Sequence, residues 1–544
     1  MNKTLFIFSL AILIYGCSTT SNYEEAANSI TEDGIKTRIE KLASDEFLGR
    51  KPFTEGETIT INYLKEEFQK IGLKPGNGDS YFQEVPMVEL TATTDSLVVV
   101  SSESGDELKL KYWDDYVALT RRVADSISLV DSELIFVGYG IVAPEYDWND
   151  YDGIDVKGKT VVVLVNDPGF GSEDQSFFKG NAMTYYGRWT YKYEEAARQG
   201  AVGILIVHET AHASYPWEVV LGGWTGANLY LQSTDDNMSR CKIEGWISEN
   251  SAKQLFTVAN KGEYDFYQEA RKIDFEAFTL NQKISINLKN KIKTSKSNNV
   301  VAIYEGDELK DETIIYSAHW DHFGIGNPVD GDSIYNGAVD NATGVAAILQ
   351  VAEAFTKLTA RPKRSVVFMA VTAEEQGLLG SAHYAENPIY APEKTVANIN
   401  VDAIRPIGRV NDFSVIGYGQ SELEDYAKRA VEKQGRYITP DPRPEAGSFF
   451  RSDHFNFAKI GIPALYGKGA YDSPEHGKEW GKEKYDEYTS DHYHKPSDEY
   501  SEDFNAEGVV LDAKVIFDIG HTLSNETTFP KWKEGSEFKA IREN

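Results

Sequence analysis

The second half of this 544-residue chain predicts an α/β fold, a mostly parallel sheet with helices on both faces, joined to an inserted β-rich region. From residue 300 onward, short β-branched runs alternate with amphipathic helical stretches, the pattern of strands linked by crossover helices. Between 87 and 290 the apolar residues fall instead in short β-prone runs such as Ser96-Leu97-Val98-Val99-Val100. At this length the chain should also bury at least two cores rather than one.

The elements follow in order. Met1-Asn2-Lys3 leads into the apolar run Leu5-Phe6-Ile7-Phe8-Ser9-Leu10-Ala11-Ile12-Leu13-Ile14, a signal-peptide pattern too short for a permanent membrane span. Gly16-Cys17 and a polar stretch follow, and this resembles a bacterial lipoprotein cleavage box. The expectation is an exported protein, lipid-anchored to a membrane of the bacterial cell envelope through Cys17. An ordinary secretory signal with an incidental cysteine is the alternative. Cys241 is the only other cysteine, so an intrachain disulfide is not expected. Residues 18–30 read as a tether. Residues 31–86 form an N-terminal helical part, in which Ile61, Leu64, Phe68 and Ile71 recur at helical spacing before Gly72 stops the helix.

In the inserted region, 87–290, residues 136–141, 160–165 and 203–207 read as strands and 193–198 as a helix. A polar stretch, 289–299, reads as a hinge. The final region, 291–530, then gives strands at 300–304, 313–317, 365–371, 396–401 and 413–416. Helices are expected at 344–358, with Val345, Ile348, Leu349, Ala352 and Phe355 on one face, and at 421–434 and 506–523.

A formal charge of -30 would repel phosphate backbones, so no nucleic-acid partner is expected. The residues that carry chemistry lie in five segments: Ser317-Ala318-His319-Trp320-Asp321, Gly337-Ala338-Val339-Asp340-Asn341-Ala342-Thr343-Gly344, Ala373-Glu374-Glu375, Asn400-Val401-Asp402 and Tyr493-His494-Lys495-Pro496-Ser497-Asp498. Three of them follow predicted strands, where open α/β sheets build their sites. Singly each has a plain explanation: a structural histidine, a helix-capping pair, solvated turn charge. Together they are imidazoles and carboxylates of the kind that zinc-like ions take, with Glu374 free beside Glu375 to act as a base.

This ordered set resembles the M28 family of co-catalytic zinc peptidases over roughly 296–525, with an N-terminal extension in Leu42-Ala43-Ser44-Asp45-Glu46-Phe47-Leu48-Gly49-Arg50. The resemblance implies two divalent ions, zinc rather than magnesium. Asp340 would bridge them, His319 and Asp402 would complete one site, and Glu375 and His494 the other. Glu374 would be the general base. Asp321 would accept a hydrogen bond from the His319 imidazole. The Asp340–Asn341 bond is often cis in such proteins. Phe449 stands near the place where some relatives carry an oxyanion-supporting tyrosine, so the donor must come from elsewhere. His322, His383, His454 and His521 are expected to be structural or on the surface, and Ser452-Asp453-His454 is not expected to form a triad. Gly138-Tyr139-Gly140-Ile141, residues 151–163 and 196–203 resemble a protease-associated domain, placed at about 131–260.

The expected activity is removal of N-terminal residues from peptides, on the argument that an acidic crevice attracts a free ammonium. A carboxypeptidase acting on acidic peptides is the alternative, with Arg405, Arg443 and Arg451 available for a carboxylate. Glutaminyl cyclases share the resemblance with one zinc, and receptor-like relatives have none; five intact ligand positions argue against both. Side-chain preference and oligomeric state are not written in these motifs.

Overall fold

The computed structural model describes residues 22–102, 105–259, 261–262 and 264–543. The signal segment and Cys17 lie outside the described residues. The strands that matter for the site are β1 (Phe82–Thr94), β2 (Phe278–Tyr304), β3 (Leu309–His319), β4 (Arg364–Val371), β5 (Thr395–Asn400), β6 (Asp412–Val415), β7 (Tyr437–Pro440) and β8 (Ala464–Gly469). Strands β4, β3, β5 and β8 run side by side and parallel. The last residues of β2 flank them antiparallel to β4, and β6 does so antiparallel to β8, with β7 parallel to β6.

Both faces of this sheet are dry, which is why its strands read as continuous apolar runs. Along β4, Val366, Phe368 and Ala370 enter the core on one side. Val367, Met369 and Val371 enter a separate core on the other, with Tyr384 and Phe457 from the short helices Leu379–Glu386 and His454–Lys459. The first side is covered by α1 (Tyr23–Asn28), α2 (Glu32–Leu42), α3 (Glu55–Ile71), α4 (Thr343–Thr356) and α6 (Glu507–Asn525); α5 (Lys478–Asp491) lies near the site. Helix α4 is buried almost all round, packed among α2, α3, α6 and the sheet, and this fixes the loop at its N-terminus.

Two expectations are corrected. From Asn22 on, the supposed tether is folded: α1 buries Ala26 and Ala27, Ile30 follows them into the core, and the Tyr23 hydroxyl donates to Asp518 at 2.6 Å. Three apolar groups in an otherwise polar stretch suffice to pin it. The polar hinge is the middle of β2, a 27-residue strand that pairs with Ser126–Phe136 through its first half and with β1 through its second. The ladder bonds are made by backbone, and most side chains from 290 to 296 are exposed, so no apolar alternation marks the strand.

The inserted region is β-rich, as expected. Thr160–Leu164, Gly203–His208 and Ile243–Ser248 form a parallel set extended by Tyr116–Leu119 and Ser126–Phe136. Two apolar cores lie on its faces, and Cys241 is buried in one of them.

Candidate metal centre and its cleft

Strand ends deliver the first groups. His319 closes β3, Glu374 and Glu375 follow β4, and Asp402 follows β5, all on the rim beyond the carboxyl ends of the parallel strands. Asp340 sits in the turn leading into α4, and His494 follows α5. The five predicted ligand residues meet. His319 Nε2 lies 3.2 Å from Asp340 Oδ1 and 3.5 Å from Asp402 Oδ1. His494 Nε2 lies 3.4 Å from Asp340 Oδ2 and 3.2 Å from Glu375 Oε2. One oxygen of Asp340 thus faces each donor set.

The loop that presents Asp340 is held from three directions. Asp498, from the same motif as His494, accepts the Val339 and Asp340 backbone N–H groups at 3.0 and 3.1 Å. Asn341 accepts the Gly344 and Ala403 N–H groups and donates to the Val401 carbonyl, tying the start of α4 to the end of β5. The fully buried Arg50 donates to the carbonyls of Leu42, Trp320, Asn336 and Gly337. Gly344 is required here, because a Cβ would lie 2.2 Å from Asn341 Oδ1; Gly337 has φ +58° and the same conflict with the Asp340 carbonyl. The Asp340–Asn341 peptide bond is cis.

The donor chemistry fits divalent cations. His319 Nε2 and His494 Nε2 point at carboxylates, yet neither has a hydrogen-bond partner in this packing. Buried polar atoms are normally satisfied, and mixed imidazole and carboxylate sets are what zinc takes. His319, Asp340 and Asp402 place donor atoms within 4.8 Å of one another, as do His322, Asp340 and Glu375. Burial raises the Glu374 carboxyl well above its ordinary range, opposed by His319 and reinforced by the neighbouring carboxylates Glu375 and Asp402.

Asp321 and His322 differ from expectation. The His319 Nδ1 contact is to the Asp321 backbone carbonyl at 3.2 Å, whereas the Asp321 carboxylate is 3.9 Å away. That carboxylate instead accepts the Glu374 and Glu375 N–H groups at 3.0 and 3.4 Å, so it sets the turn carrying both glutamates. His322 is fully buried and belongs to the site, with Nδ1 2.7 Å from Glu375 Oε1. Its only sequence signal is adjacency to His319-x-Asp321. The Ser452-Asp453-His454 side chains diverge, as expected. Ser452 donates to Asp402 Oδ2 at 2.6 Å, Asp453 accepts from Ser381, and His454 lies against Phe449 and Tyr466. Burial holds His454 down at about 3, so it stays neutral.

Residues 299–514 match peptidase family M28. Over this stretch the chain is similar to that family. Among similar proteins, "Aminopeptidase NAALADL1" of Mus musculus is 33% identical over 131 residues, 23% of this chain and 16% of that protein. "Glutamate carboxypeptidase 2 homolog" of Caenorhabditis briggsae is 32% identical over 133 residues, 24% of this chain and 16% of that protein. The chain therefore matches about a sixth of the length of these relatives. The solved "Aminopeptidase from Aneurinibacillus sp. strain AM-1" aligns with 91% of this chain and 95% of its own, at 18% identity and a TM-score of 0.47.

Beside the two donor sets a cleft of about 370 Å³ opens, lined by Asp340, Glu374 and Asp402 at one end. Its other wall is not acidic, contrary to the crevice the sequence led us to expect. Arg405, Arg443, Arg451 and Lys468 line it, and Asp441 is the only further carboxylate among its lining residues. The net negative charge of the chain resides elsewhere. Phe449 does not line the cleft; it packs on Phe450, His454 and Phe538. The inserted region braces the loop that carries Arg443 and Arg451: the Met183 N–H donates to the Pro444 carbonyl at 3.1 Å, and Met183 shares an apolar cluster with Phe449 and Phe450.

Proposed function

We propose that the chain is a metal-dependent exopeptidase that removes N-terminal residues from peptides. The observation that carries the reading is the position of Glu374: it lines a confined cleft beside two donor sets that share Asp340. A cavity of this size is that of a small-ligand pocket and not of an extended groove. His319, Asp340 and Asp402 would hold one zinc ion, and Asp340, Glu375 and His494 a second. Bound there, the ions would polarise the scissile carbonyl and lower the pKa of the attacking water. Glu374 takes the proton of that water and later delivers it to the leaving amine. Asp321 keeps Glu374 and Glu375 in register, and His322 orients Glu375 from behind, a supporting role of the kind that tunes ligands. The N-terminal direction is supported by the relatives named aminopeptidases.

The cationic wall favours a second reading, a carboxypeptidase, as in the relatives named glutamate carboxypeptidase 2 homologs. Matched peptides decide between the two. Acetylating the N-terminus should abolish cleavage and amidating the C-terminus should leave it; the reverse pattern would mean that the chain is a carboxypeptidase.

We further propose that the protein is exported and anchored by a lipid on Cys17, and that residues 131–260 form a protease-associated domain beside the cleft. Among the described residues no helix is long and apolar enough to cross a membrane. Cys17→Ser should therefore move the protein from the membrane fraction to the soluble one. Equal retention of the variant in the membrane would remove Cys17 as the anchor.

A further inference from the structure

Beyond α6 the chain crosses to the inserted region and meets it with one buried carboxylate. Trp532 and Phe538 are buried in the cluster that holds Met183, Phe449 and Phe450, and Trp532 Nε1 donates to the Gly461 carbonyl at 2.9 Å. Between them in sequence, the Glu537 side chain is only 4% exposed, and both its oxygens serve the inserted region. Lys179 Nζ donates to Oε2 at 2.5 Å, and the Tyr185 backbone N–H donates to Oε1 at 3.1 Å. Burial alone would raise this carboxyl, but Lys179 and backbone N–H groups outweigh it and hold it below the usual range. The backbone beside Lys179 is strained to make the contact. Phe178 and Lys179 have φ of +48° and +57°, a left-handed conformation uncommon for side chains of this bulk, and such strain persists only where the surroundings impose it. Tyr146 and Trp148 hold the Phe178 ring, with centres 4.3 and 5.3 Å away, which leaves Lys179 directed at Glu537.

Three successive backbone N–H groups here bind three separate parts of the chain. Met183 donates to the Pro444 carbonyl of the cleft loop, Thr184 to Asp167 within the inserted region at 2.9 Å, and Tyr185 to Glu537. The Tyr185 ring rests on Phe450 and Phe455, with centres 5.9 and 5.0 Å away. A Cβ on Gly447 would lie 2.6 Å from Met183 Sδ, so the two loops are in close contact. The cleft loop then runs on to Ser448, Arg451 and Ser452, which line the cleft. We propose that Glu537 is a positioning residue for peptide binding: it locks the inserted region against the loop 443–452 and so sets one wall of the cleft, without lining the cleft or joining either donor set. The effect on turnover rests on the exopeptidase reading; the lock itself does not. Metal binding and the chemical step should be little affected, because Asn400 independently donates to the Ser452 hydroxyl that supports Asp402.

The test uses the metal-loaded full chain and reads two quantities, peptide turnover and hydrogen exchange of the cleft loop. Glu537→Ala leaves Lys179 and the Tyr185 N–H without their acceptor, which should raise KM by about tenfold while kcat stays within about twofold. Exchange should quicken by about the same factor at the Ala446, Phe450 and Arg451 amides, which are hydrogen-bonded within the loop. Glu537→Gln keeps an acceptor for the Tyr185 N–H and should recover much of both. Lys179 is partly exposed, so Lys179→Met probes the same contact if Glu537→Ala fails to fold. Lys533→Met is the control. It removes the 2.7 Å ion pair with Glu424 from the same segment without touching the inserted region, so it should lower Tm and leave KM and exchange unchanged. An equal rise of KM in Lys533→Met, or a KM unchanged in both Glu537→Ala and Lys179→Met, overturns the positioning role. Unchanged exchange in those two variants overturns the lock as well. A wild type that cleaves no peptide overturns the exopeptidase reading, and the exchange rates then still decide the lock.

Discussion

Glu374→Gln is expected to lower kcat by roughly 10²–10⁴-fold, the usual worth of a general base, while the metal content stays that of the native protein. The separation of effects follows from what Glu374 and Glu375 touch. The Glu375 carboxylate is engaged on both sides, by His322 at 2.7 Å and by His494 at 3.2 Å. The Glu374 carboxylate makes no hydrogen bond among the described residues; its nearest charged partner is His319 Nε2 at 4.0 Å, and it faces the cleft. Its place in the turn is fixed by its backbone N–H on Asp321, which the substitution retains. Glutamine has nearly the same shape and cannot accept the proton. Peptide turnover and metal analysis on one preparation check this. Near-native turnover in the loaded variant would remove Glu374 from the mechanism.

The contrast between those two neighbours also shows what a sequence can and cannot reveal. His319, Glu375 and Asp402 could be placed together from the sequence because strand ends in a parallel sheet share one rim, whereas Asp340, in the turn into α4, and His494, after α5, were marked by their motifs alone. The specific roles of their supports were not legible. Asp498 holds the Asp340 loop across 158 residues of chain, and Arg50 reaches the same loop from the N-terminal segment. Both are ordinary charged residues until the fold brings backbone carbonyls or N–H groups to them. The cleft was misjudged for a related reason. Net charge averages over a surface, whereas Arg405, Lys468 and Tyr485 come from a strand-end loop, β8 and α5, which converge only in the folded chain. Likewise the middle of β2 was hidden as a hinge, since a stretch of strand whose side chains meet water on both faces has no alternation to read.

Asp340→Ala should remove metal from both donor sets at once, a larger effect than loss of any other ligand residue. Among the described residues only Asp340 has one oxygen near each of these two histidines, 3.2 Å from His319 Nε2 and 3.4 Å from His494 Nε2. Without it, His319 and Asp402 remain on one side and Glu375 and His494 on the other, two ligands each where a catalytic zinc keeps three. The loss in affinity should exceed the roughly 10–100-fold that removal of a supporting group costs. Asp402→Ala and His494→Ala, by contrast, should each spare one set. Binding to the folded state alone raises stability by mass action, so a chelator should lower the Tm of the native protein and leave that of Asp340→Ala unchanged. The loop itself is not expected to collapse in the variant, because Asp498 and Asn341 hold it through contacts that the Asp340 side chain does not make. Metal analysis giving two ions per chain in wild type and fewer than one in Asp340→Ala is the expected result. Two ions retained by the variant would show that the sets do not share this carboxylate.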